Sequence, residues 1–187
     1  RGIGPALIPI VGVSVLDEKI TLLAVLGIMA IIGGIFIAYW WGQILIIARD
    51  PLKLLKDPGI KYALLTGITI TAYSVWDKIG IGYVTPMLYM YLLSLGAALG
   101  LAPYILFRHR YKAIKEELQF NAVKVFGAGI LAFFAYVAVL EALRRSNVSY
   151  VAPAREIGIV FSVLLGAIVL KESLSVGRII GAVAITL

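Results

Sequence analysis

Two stretches of this chain, 154 positions apart, share one pattern of glycines and charged residues. The matching pairs, without a gap, are Arg1 and Arg155, Ile3 and Ile157, Gly4 and Gly158, Gly12 and Gly166, Leu16 and Leu170, Glu18 and Glu172, and Gly27 and Gly181. Leucines and isoleucines match by chance in apolar sequences, but this spacing of glycines, arginine and glutamate is hard to obtain by accident. Because an internal repeat decides the whole architecture, we predict a duplicated unit of two glycine-patterned helices separated by an acidic break.

The second copy opens on a helix with one face of small side chains. They recur every four positions, at Ala154, Gly158, Ser162 and Gly166. Such a face lets another helix approach closely where no water drives apolar burial. A second stripe of small residues, at Ala128, Ala132, Ala135 and Ala142, is its predicted partner.

The composition places this chain in a membrane. It has 187 residues, of which 61% are hydrophobic and 14% charged, with a mean hydropathy of +1.00. Ordinary globular proteins are about 45–50% apolar and about 25% charged. We therefore predict an all-α multispanning bundle in the cell membrane, either a plasma or an inner membrane, with the lipid bilayer as a partner.

Charge and residue usage exclude several other functions. The net charge of +7 comes from basic residues between apolar runs, where membrane proteins place their anchors, so nucleic acid is not an expected partner. The chain has no cysteine, and its one histidine, His109, lies in a basic loop. No metal site and no cofactor are therefore expected. No Walker-type glycine loop occurs, so ATP is not an evident energy source.

About seven helices are expected, because a spanning helix needs about 20 apolar residues. The predicted segments are 2–16, 20–41, 61–77, 83–107, 122–142, 149–170 and the stretch from 174. Asp17 to Lys19 form the first break, with Thr21 as the next N-cap. Residues 42–60 are read as a linker with a helix start at Asp50-Pro51, and 108–121 as a basic loop. The outer segments are incomplete, so we take the chain to be a fragment.

The sixth segment carries charges inside its apolar surroundings. Arg155 and Glu156 follow Pro153 by two and three positions. A charge at mid-membrane costs at least about 2.5–3.5 kcal/mol on insertion scales, so it is functional or paired by default. Neighbours on a helix project about 100° apart and do not face each other, so each needs a partner elsewhere. Pro153 is expected to break the helix and leave backbone groups free for a substrate.

Topology supplies possible partners, because the third and fifth segments end on the side where the sixth begins. The charged candidates there are Asp77, Lys78, Glu141 and Arg144, and the aromatic walls are Tyr73, Trp76, Tyr136 and Tyr150. Such a cavity suits a small zwitterion or an amphiphilic metabolite. The alternative is that these four charges lie at helix ends, and that Arg155 and Glu156 only fix helix packing. Glu18 and Glu172 are read as structural residues at a break facing water.

The second copy of the repeat resembles the EamA-type transporters of the drug/metabolite transporter superfamily. The residues that carry the likeness are Pro153 to Glu156, Gly166, Leu170-Lys171-Glu172 and Gly181. The first copy repeats the ending of this pattern, with Leu16-Asp17-Glu18 and Gly27. The resemblance implies ten helices in two inverted five-helix repeats. It assigns 1–41 to the end of the first repeat, 42–60 to the linker and 61–187 to the second repeat. Segments 61–77, 122–142 and 149–170 would line the cavity. The family's usual orientation opposes the positive-inside count, so orientation stays open.

The expected function is secondary transport, with export as the expected direction, of small metabolites such as amino acids or amphiphilic compounds by alternating access. Glu156 or Glu141 would titrate if protons drive it. The rivals are a membrane-embedded lipid-modifying enzyme, which would use Glu156 and Glu141 as acid and base, and a non-transporting scaffold. An enzyme is not expected, since no Ser-His-Asp set is present. Gly96 and Gly100 form a GxxxG motif that would permit a homodimer.

Overall fold

The long apolar runs fold as helices. The computed structural model describes residues 4–40, 58–108, 111–169, 171 and 176–186, and no strand occurs among them. In chain order the helices are α1 (Gly4–Leu16), α2 (Leu22–Trp40), α3 (Pro58–Gly80), α4 (Pro86–Arg108), α5 (Tyr111–Arg145), α6 (Val148–Ala154), α7 (Ile157–Val169) and α8 (Val176–Thr186). The predicted helix start at Asp50-Pro51 lies outside the described residues, as do His109 and Glu172.

Three segments of the described chain are long and apolar enough to cross a membrane. They are Pro86–Arg108, Lys115–Arg145 and Val148–Val169, the last of which joins α6 and α7. The helical stretches Gly4–Leu16 and Leu22–Ile37 are apolar but shorter. The chain is thus an all-α multispanning membrane protein, as its composition predicts.

The predicted span 61–77 is helical, but its helix is not one of those three. α3 is 23 residues long, which at 1.5 Å per residue exceeds the roughly 30 Å of a bilayer core. Its threonines, Ser74 and Asp77 make it more polar than its neighbours. Thr71, Ser74 and Asp77 are spaced three residues apart, on one face of α3, and all three are buried.

The chain divides into two compact units, residues 1–76 with 146–187, and residues 77–145. In the first unit α2 packs on α8, α1 packs on α6, and α7 packs on α8. The α2–α8 contact is close: a Cβ on Gly34 would lie 2.8 Å from the carbonyl oxygen of Gly181 and 2.9 Å from Ile185 Cγ1. In the second unit α4 packs on α5. These units do not follow the predicted repeats, whose boundaries stay a prediction.

The two copies of the repeat share an unusual backbone conformation. Asp17 and Lys171, which are equivalent in the repeat, both have a φ of 52° and are the non-glycine residues with positive φ in the described chain. Each follows a helix of 13 residues, α1 and α7. A left-handed backbone conformation costs an L-amino acid roughly 1–2 kcal/mol. Its occurrence at both equivalent positions indicates that the two copies of the repeat share the same break.

The basic loop predicted at 108–121 is largely wrong. Residues from Tyr111 onward are helical and continue into the fifth span, with one non-helical residue, Asn121, at φ −125° and ψ 17°. Lysine, glutamate, leucine and glutamine between 115 and 119 favour helix despite their charge. The side chain of Asn121 donates to Glu117 at 2.9 Å, across the turn that leads into this kink.

The predicted pairing of the two small-residue stripes stays a prediction, because the α5 stripe and the Ala154–Gly166 stripe belong to different units. All four alanines of the α5 stripe are exposed, and so are Ala154, Gly158 and Ser162 of the other stripe. A Cβ on Gly158 would meet nothing within 4 Å. Gly96 and Gly100 on α4 are exposed in the same way, and the homodimer stays a prediction.

Candidate functional site

The carboxylate of Asp77 is held by two phenols in the second unit. Asp77 is 3% exposed. Its Oδ1 accepts a hydrogen bond from the Tyr89 hydroxyl at 2.9 Å, and its Oδ2 accepts one from the Tyr136 hydroxyl at 2.5 Å. The three residues come from α3, α4 and α5, so one buried carboxylate joins three helices.

Local structure explains how Tyr89 reaches Asp77. α3 ends at Gly80, and a tight turn follows, in which the backbone N–H of Gly82 donates to Ile79 and that of Tyr83 to Gly80. Tyr89 lies in the first turn of α4, and its ring packs against Gly80, where a Cβ would be 3.0 Å from its Cζ and closer still to its Cε2. A glycine is therefore needed at the end of α3 for the ring to approach.

The side chains of Lys78 and Glu141 each bind a polar group near the end of their helix. The Lys78 ammonium donates to the Leu143 carbonyl oxygen at 2.5 Å, which places the ends of α3 and α5 at one level. Glu141 pairs with Arg145 one turn along α5, at 2.7 Å, and the arginine side chain is 77% exposed. The helix-end alternative paired Glu141 with Arg144, whereas its ion pair is with Arg145. The pathway role of Glu141 stays a prediction.

The two predicted aromatic walls on α3 do not face the interior of the described chain. Trp76 is 73% exposed and Tyr73 is exposed as well. They are neighbours of the buried Ser74 and Asp77 in sequence but point elsewhere, because helical residues one position apart project about 100° apart. Ser74 Oγ is buried and has no hydrogen-bond partner among the described residues.

The span from Val148 to Val169 is interrupted at the predicted charged pair. α6 ends at Ala154 with Pro153 buried inside it, and α7 begins at Ile157. Arg155 and Glu156, both half-buried, form the turn between them. A proline has no N–H to donate and so weakens the helix at this point.

At the interruption the backbone N–H groups of Glu156, Gly158 and Ile159 are hydrogen-bonded, so these three are not free for a substrate. The N–H of Glu156 donates to the Pro153 carbonyl at 2.9 Å, that of Gly158 to Arg155 at 3.1 Å, and that of Ile159 to Glu156 at 2.8 Å. These i to i+3 bonds make a tight turn within a continuous right-handed path, and Arg155 keeps right-handed φ and ψ of −62° and −23°.

Glu18 binds the start of α6 and does not simply face water. It is half-buried. Its Oε1 accepts from the Val148 N–H at 2.7 Å, and its Oε2 accepts from the Ser149 N–H at 3.0 Å and from the Ser149 hydroxyl at 2.5 Å. A carboxylate at a helix N-terminus satisfies donors that have no intrahelical acceptor. These contacts fit the interpretation of Glu18 as a structural residue, since its carboxylate holds the start of α6.

Two further contacts join the same segments. The Thr21 N–H donates to the Tyr150 hydroxyl at 3.2 Å, and the Asn147 side chain donates to the Lys19 carbonyl at 3.4 Å. Tyr150, predicted as a cavity wall, therefore touches the break between α1 and α2. Thr21 also caps α2 as predicted, accepting from the Ala24 N–H at 3.3 Å.

Sequence reasoning missed Tyr89 and Ser149. Tyr89 is one of several tyrosines between positions 83 and 91. Only its position after a glycine-containing turn distinguishes it from the others. Ser149 opens the sixth segment, where a serine near a helix start is a capping signal. Among the described residues, no group of three or more histidine, cysteine, aspartate or glutamate side chains is placed to hold a metal ion.

The fold and these polar groups define a class: a helical membrane protein that spans the bilayer several times and holds charged and hydroxyl side chains within its helices. The model of the EamA-like transporter family matches residues 57–187, which is more than half of the chain. The chain therefore belongs to the EamA-like transporter family, whose members are typically membrane transporters of small molecules rather than enzymes. No curated protein and no solved structure matches the chain.

Proposed function

We propose that this chain belongs to a secondary transporter that moves small metabolites, such as amino acids or amphiphilic compounds, across a plasma or inner membrane by alternating access. Export is the proposed direction. The observation that carries the proposal is the charged turn within a membrane-spanning segment. Arg155 and Glu156 follow the start of the Val148–Val169 segment by seven and eight residues, so they lie about 10–12 Å along it at 1.5 Å per residue.

A charged turn at that depth suits a zwitterionic or amphiphilic substrate. Both signs of charge are present at adjacent positions, and a lipid-facing location would cost several kcal/mol. Interrupted helices near the bilayer midplane are common substrate sites in secondary transporters. Pro153 sets the interruption, and Tyr150 lies one turn before it on α6. In this proposal Arg155 binds an anionic group of the substrate and Glu156 a cationic group.

The repeat supports the alternating-access part of the proposal. Transporters of this kind are often built from two related halves that rock against each other around a fixed site. Here the helix, the left-handed residue and the following helix recur 154 positions apart, with Asp17 and Lys171 at equivalent places. Two copies of one break provide two equivalent hinges.

Flux through vesicles tests the proposal. The complete protein is reconstituted, and uptake and efflux of a labelled panel of amino acids and small amphiphilic amines are compared between wild type, Arg155→Ala and Glu156→Gln. The matched controls are Arg108→Ala and Glu117→Gln, which change the same charges at exposed positions. We expect flux of at least one panel member in wild type and the controls, and its loss in both test variants.

Each other result has a distinct meaning. Wild-type flux that persists unchanged in properly inserted Arg155→Ala and Glu156→Gln proteins would make the pair structural and remove it from the pathway. Absence of wild-type flux for the whole panel, in either vesicle orientation, would refute transport of these substrates. Flux that runs only toward the original cytoplasm would refute export.

A further inference from the structure

Hydrogen bonds join the break between α1 and α2 to the first turn of α6, and most of them end on one carboxylate, that of Glu18. We infer that Glu18 is a positioning residue for substrate binding. Its carboxylate sets the place of α6 along α1, and through α6 it sets the place of Arg155 and Glu156. This inference rests on the proposed function, in which those two charges bind the substrate, and it adds a residue that acts on them from outside the binding site.

The backbone of the break brings the Glu18 carboxylate back onto α1. Asp17 has a left-handed φ of 52°, which turns the chain at the end of α1, and the Glu18 N–H donates to the Gly12 carbonyl at 3.2 Å. Gly12 is buried, and a Cβ there would lie 2.8 Å from Glu18 Oε2 and closer still to Ser149 Oγ. The carboxylate and the hydroxyl therefore meet in space that a side chain at position 12 would fill.

The contact face of α6 needs these hydrogen bonds to fix its register on α1. The buried residues of α6 are Val148, Ser149, Ala152 and Pro153, and most of them are small. Small side chains let two helices approach closely, but they form low ridges that interlock weakly with a neighbouring helix. Hydrogen bonds are directional. The Val148 and Ser149 N–H groups reach the Glu18 oxygens, at 2.7 Å and 3.0 Å, at one place along α1 only.

Backbone hydrogen bonds connect α6 to the charged turn. The Arg155 N–H donates to the Val151 carbonyl at 3.2 Å, and the Glu156 N–H donates to the Pro153 carbonyl at 2.9 Å. Arg155 follows Ser149 by six residues, which is about 9 Å at 1.5 Å per residue. Because so short a hydrogen-bonded segment absorbs little displacement, a shift at Ser149 is passed on to Arg155. Loss of the Glu18 carboxylate therefore displaces both charges of the turn without removing either.

Distances between two spin labels test the positioning without knowledge of the substrate. The chain has no cysteine, so Ala154→Cys and Leu23→Cys, both at exposed positions, carry the labels in the complete protein in lipid, with any cysteine outside this chain replaced by serine. Ala154 directly precedes the charged turn, and Leu23 lies in the first turn of α2. We expect one narrow distance distribution with Glu18 in place and a broadened or shifted one in Glu18→Gln.

Two controls separate positioning from loss of charge and from loss of stability. Glu117→Gln removes one exposed carboxylate and keeps an oxygen that accepts from Asn121. Gly34→Ala strains the contact of α2 with α8, where the atoms nearest to its new Cβ lie, and leaves the start of α6 intact. We expect both controls to keep the original distribution. An unaltered distribution in Glu18→Gln, or an equal change in Gly34→Ala, would overturn the inference.

Two further variants keep the test decisive if Glu18→Gln does not insert. Gly12→Ala retains the carboxylate and displaces it, because the new Cβ would overlap Glu18 Oε2 and Ser149 Oγ. Ser149→Ala removes one of the three donors to the carboxylate and leaves the two N–H groups. We expect a shifted or broadened distribution in Gly12→Ala and a smaller change in Ser149→Ala. Unaltered distributions in both variants would refute the positioning role.

The KM of transport tests the link to the substrate. For a panel member that the wild type carries, initial flux is measured against concentration, at a temperature below the Tm of every variant. We expect Glu18→Gln to raise the KM by about tenfold or more and to change the maximum flux less, since a misplacement of about 1 Å costs on the order of 10²-fold where groups must meet in register. Glu117→Gln and Gly34→Ala are expected to keep the wild-type KM.

The other outcomes of this measurement are distinct. A fall in maximum flux at an unchanged KM would make Glu18 a purely structural residue and would overturn the inference while leaving transport intact. A KM raised equally in Gly34→Ala would attribute the effect to lost stability, with the same consequence. Absence of all wild-type flux would refute the transport function itself, and the spin-label distances would still decide whether Glu18 positions the charged turn.

Discussion

Replacing Glu18 with glutamine is expected to destabilise the chain by about 2–4 kcal/mol, although the side chains have nearly the same shape. The carboxylate accepts three hydrogen bonds at the start of α6, two from backbone N–H groups and one from the Ser149 hydroxyl. The amide has one oxygen and one NH2 group. It can face its oxygen toward Ser149 or toward Val148, but not toward both.

The size of the destabilisation follows from the backbone N–H group that the amide leaves without an acceptor. Val148 and Ser149 are both 0% exposed, so water does not replace a lost partner. If the amide oxygen stays at Ser149, the Val148 N–H faces an NH2 group, and a buried unsatisfied donor costs about 1–3 kcal/mol. The two remaining hydrogen bonds lose the charge that roughly doubles their strength. The loss of a negative charge at a helix N-terminus adds about 0.3–1 kcal/mol.

Thermal unfolding of the reconstituted or detergent-solubilised protein measures the effect. For a chain of this length, about 1 kcal/mol shifts the Tm by about 2–4 °C, so we expect Glu18→Gln to melt roughly 4–16 °C below wild type. The matched control is Asp17→Asn, an exposed neighbour whose left-handed backbone asparagine tolerates well. If Glu18→Gln melts no lower than Asp17→Asn, the carboxylate does not stabilise α6 and the reasoning is wrong.

Two further predictions concern the backbone. Gly34→Ala is expected to destabilise the α2–α8 contact by about 1–3 kcal/mol, because the new Cβ would overlap the Gly181 carbonyl. The control is Gly33→Ala, where a Cβ would meet nothing within 4 Å, and this variant should be neutral or slightly more stable than wild type. Equal Tm values for the two variants would contradict the close α2–α8 packing. Lys171→Gly is expected to stabilise the chain by about 1 kcal/mol, because glycine adopts the left-handed φ of 52° without strain. The measurement is a raised Tm. A lowered Tm would show that the lysine side chain contributes more to stability than the backbone strain costs.

Much of the fold could be predicted from the sequence because apolar runs and glycine spacing are local signals. The runs placed the helices, and the matched glycines found a repeat whose two breaks share one backbone conformation at Asp17 and Lys171. The break between α6 and α7 was also predictable, since Pro153 and two charges interrupt an apolar run. In the segment before Asn121, charge was taken as a sign of a loop, although its residues favour helix.

The contacts of the candidate site could not be predicted, because they depend on how each helix is rotated about its axis. Asp77 was a candidate, but its partners Tyr89 and Tyr136 lie 12 and 59 positions away on other helices. Trp76 was an equally good candidate and is exposed. A sequence gives the face that a residue shares with others on its own helix, but it does not say which face is covered.

The bond between Glu18 and α6 has a consequence for the time course of synthesis. Glu18 and Val148 are 130 residues apart, and ribosomes add about 5–20 residues per second. The acceptor is therefore made roughly 7–26 s before its donors, while α2 to α5 are being synthesised. During that interval Glu18 has none of its α6 donors, so a mutation there has its effect on this contact only once α6 has been made. Failure of this contact would appear in the cell as degradation that begins only after α6 has been synthesised.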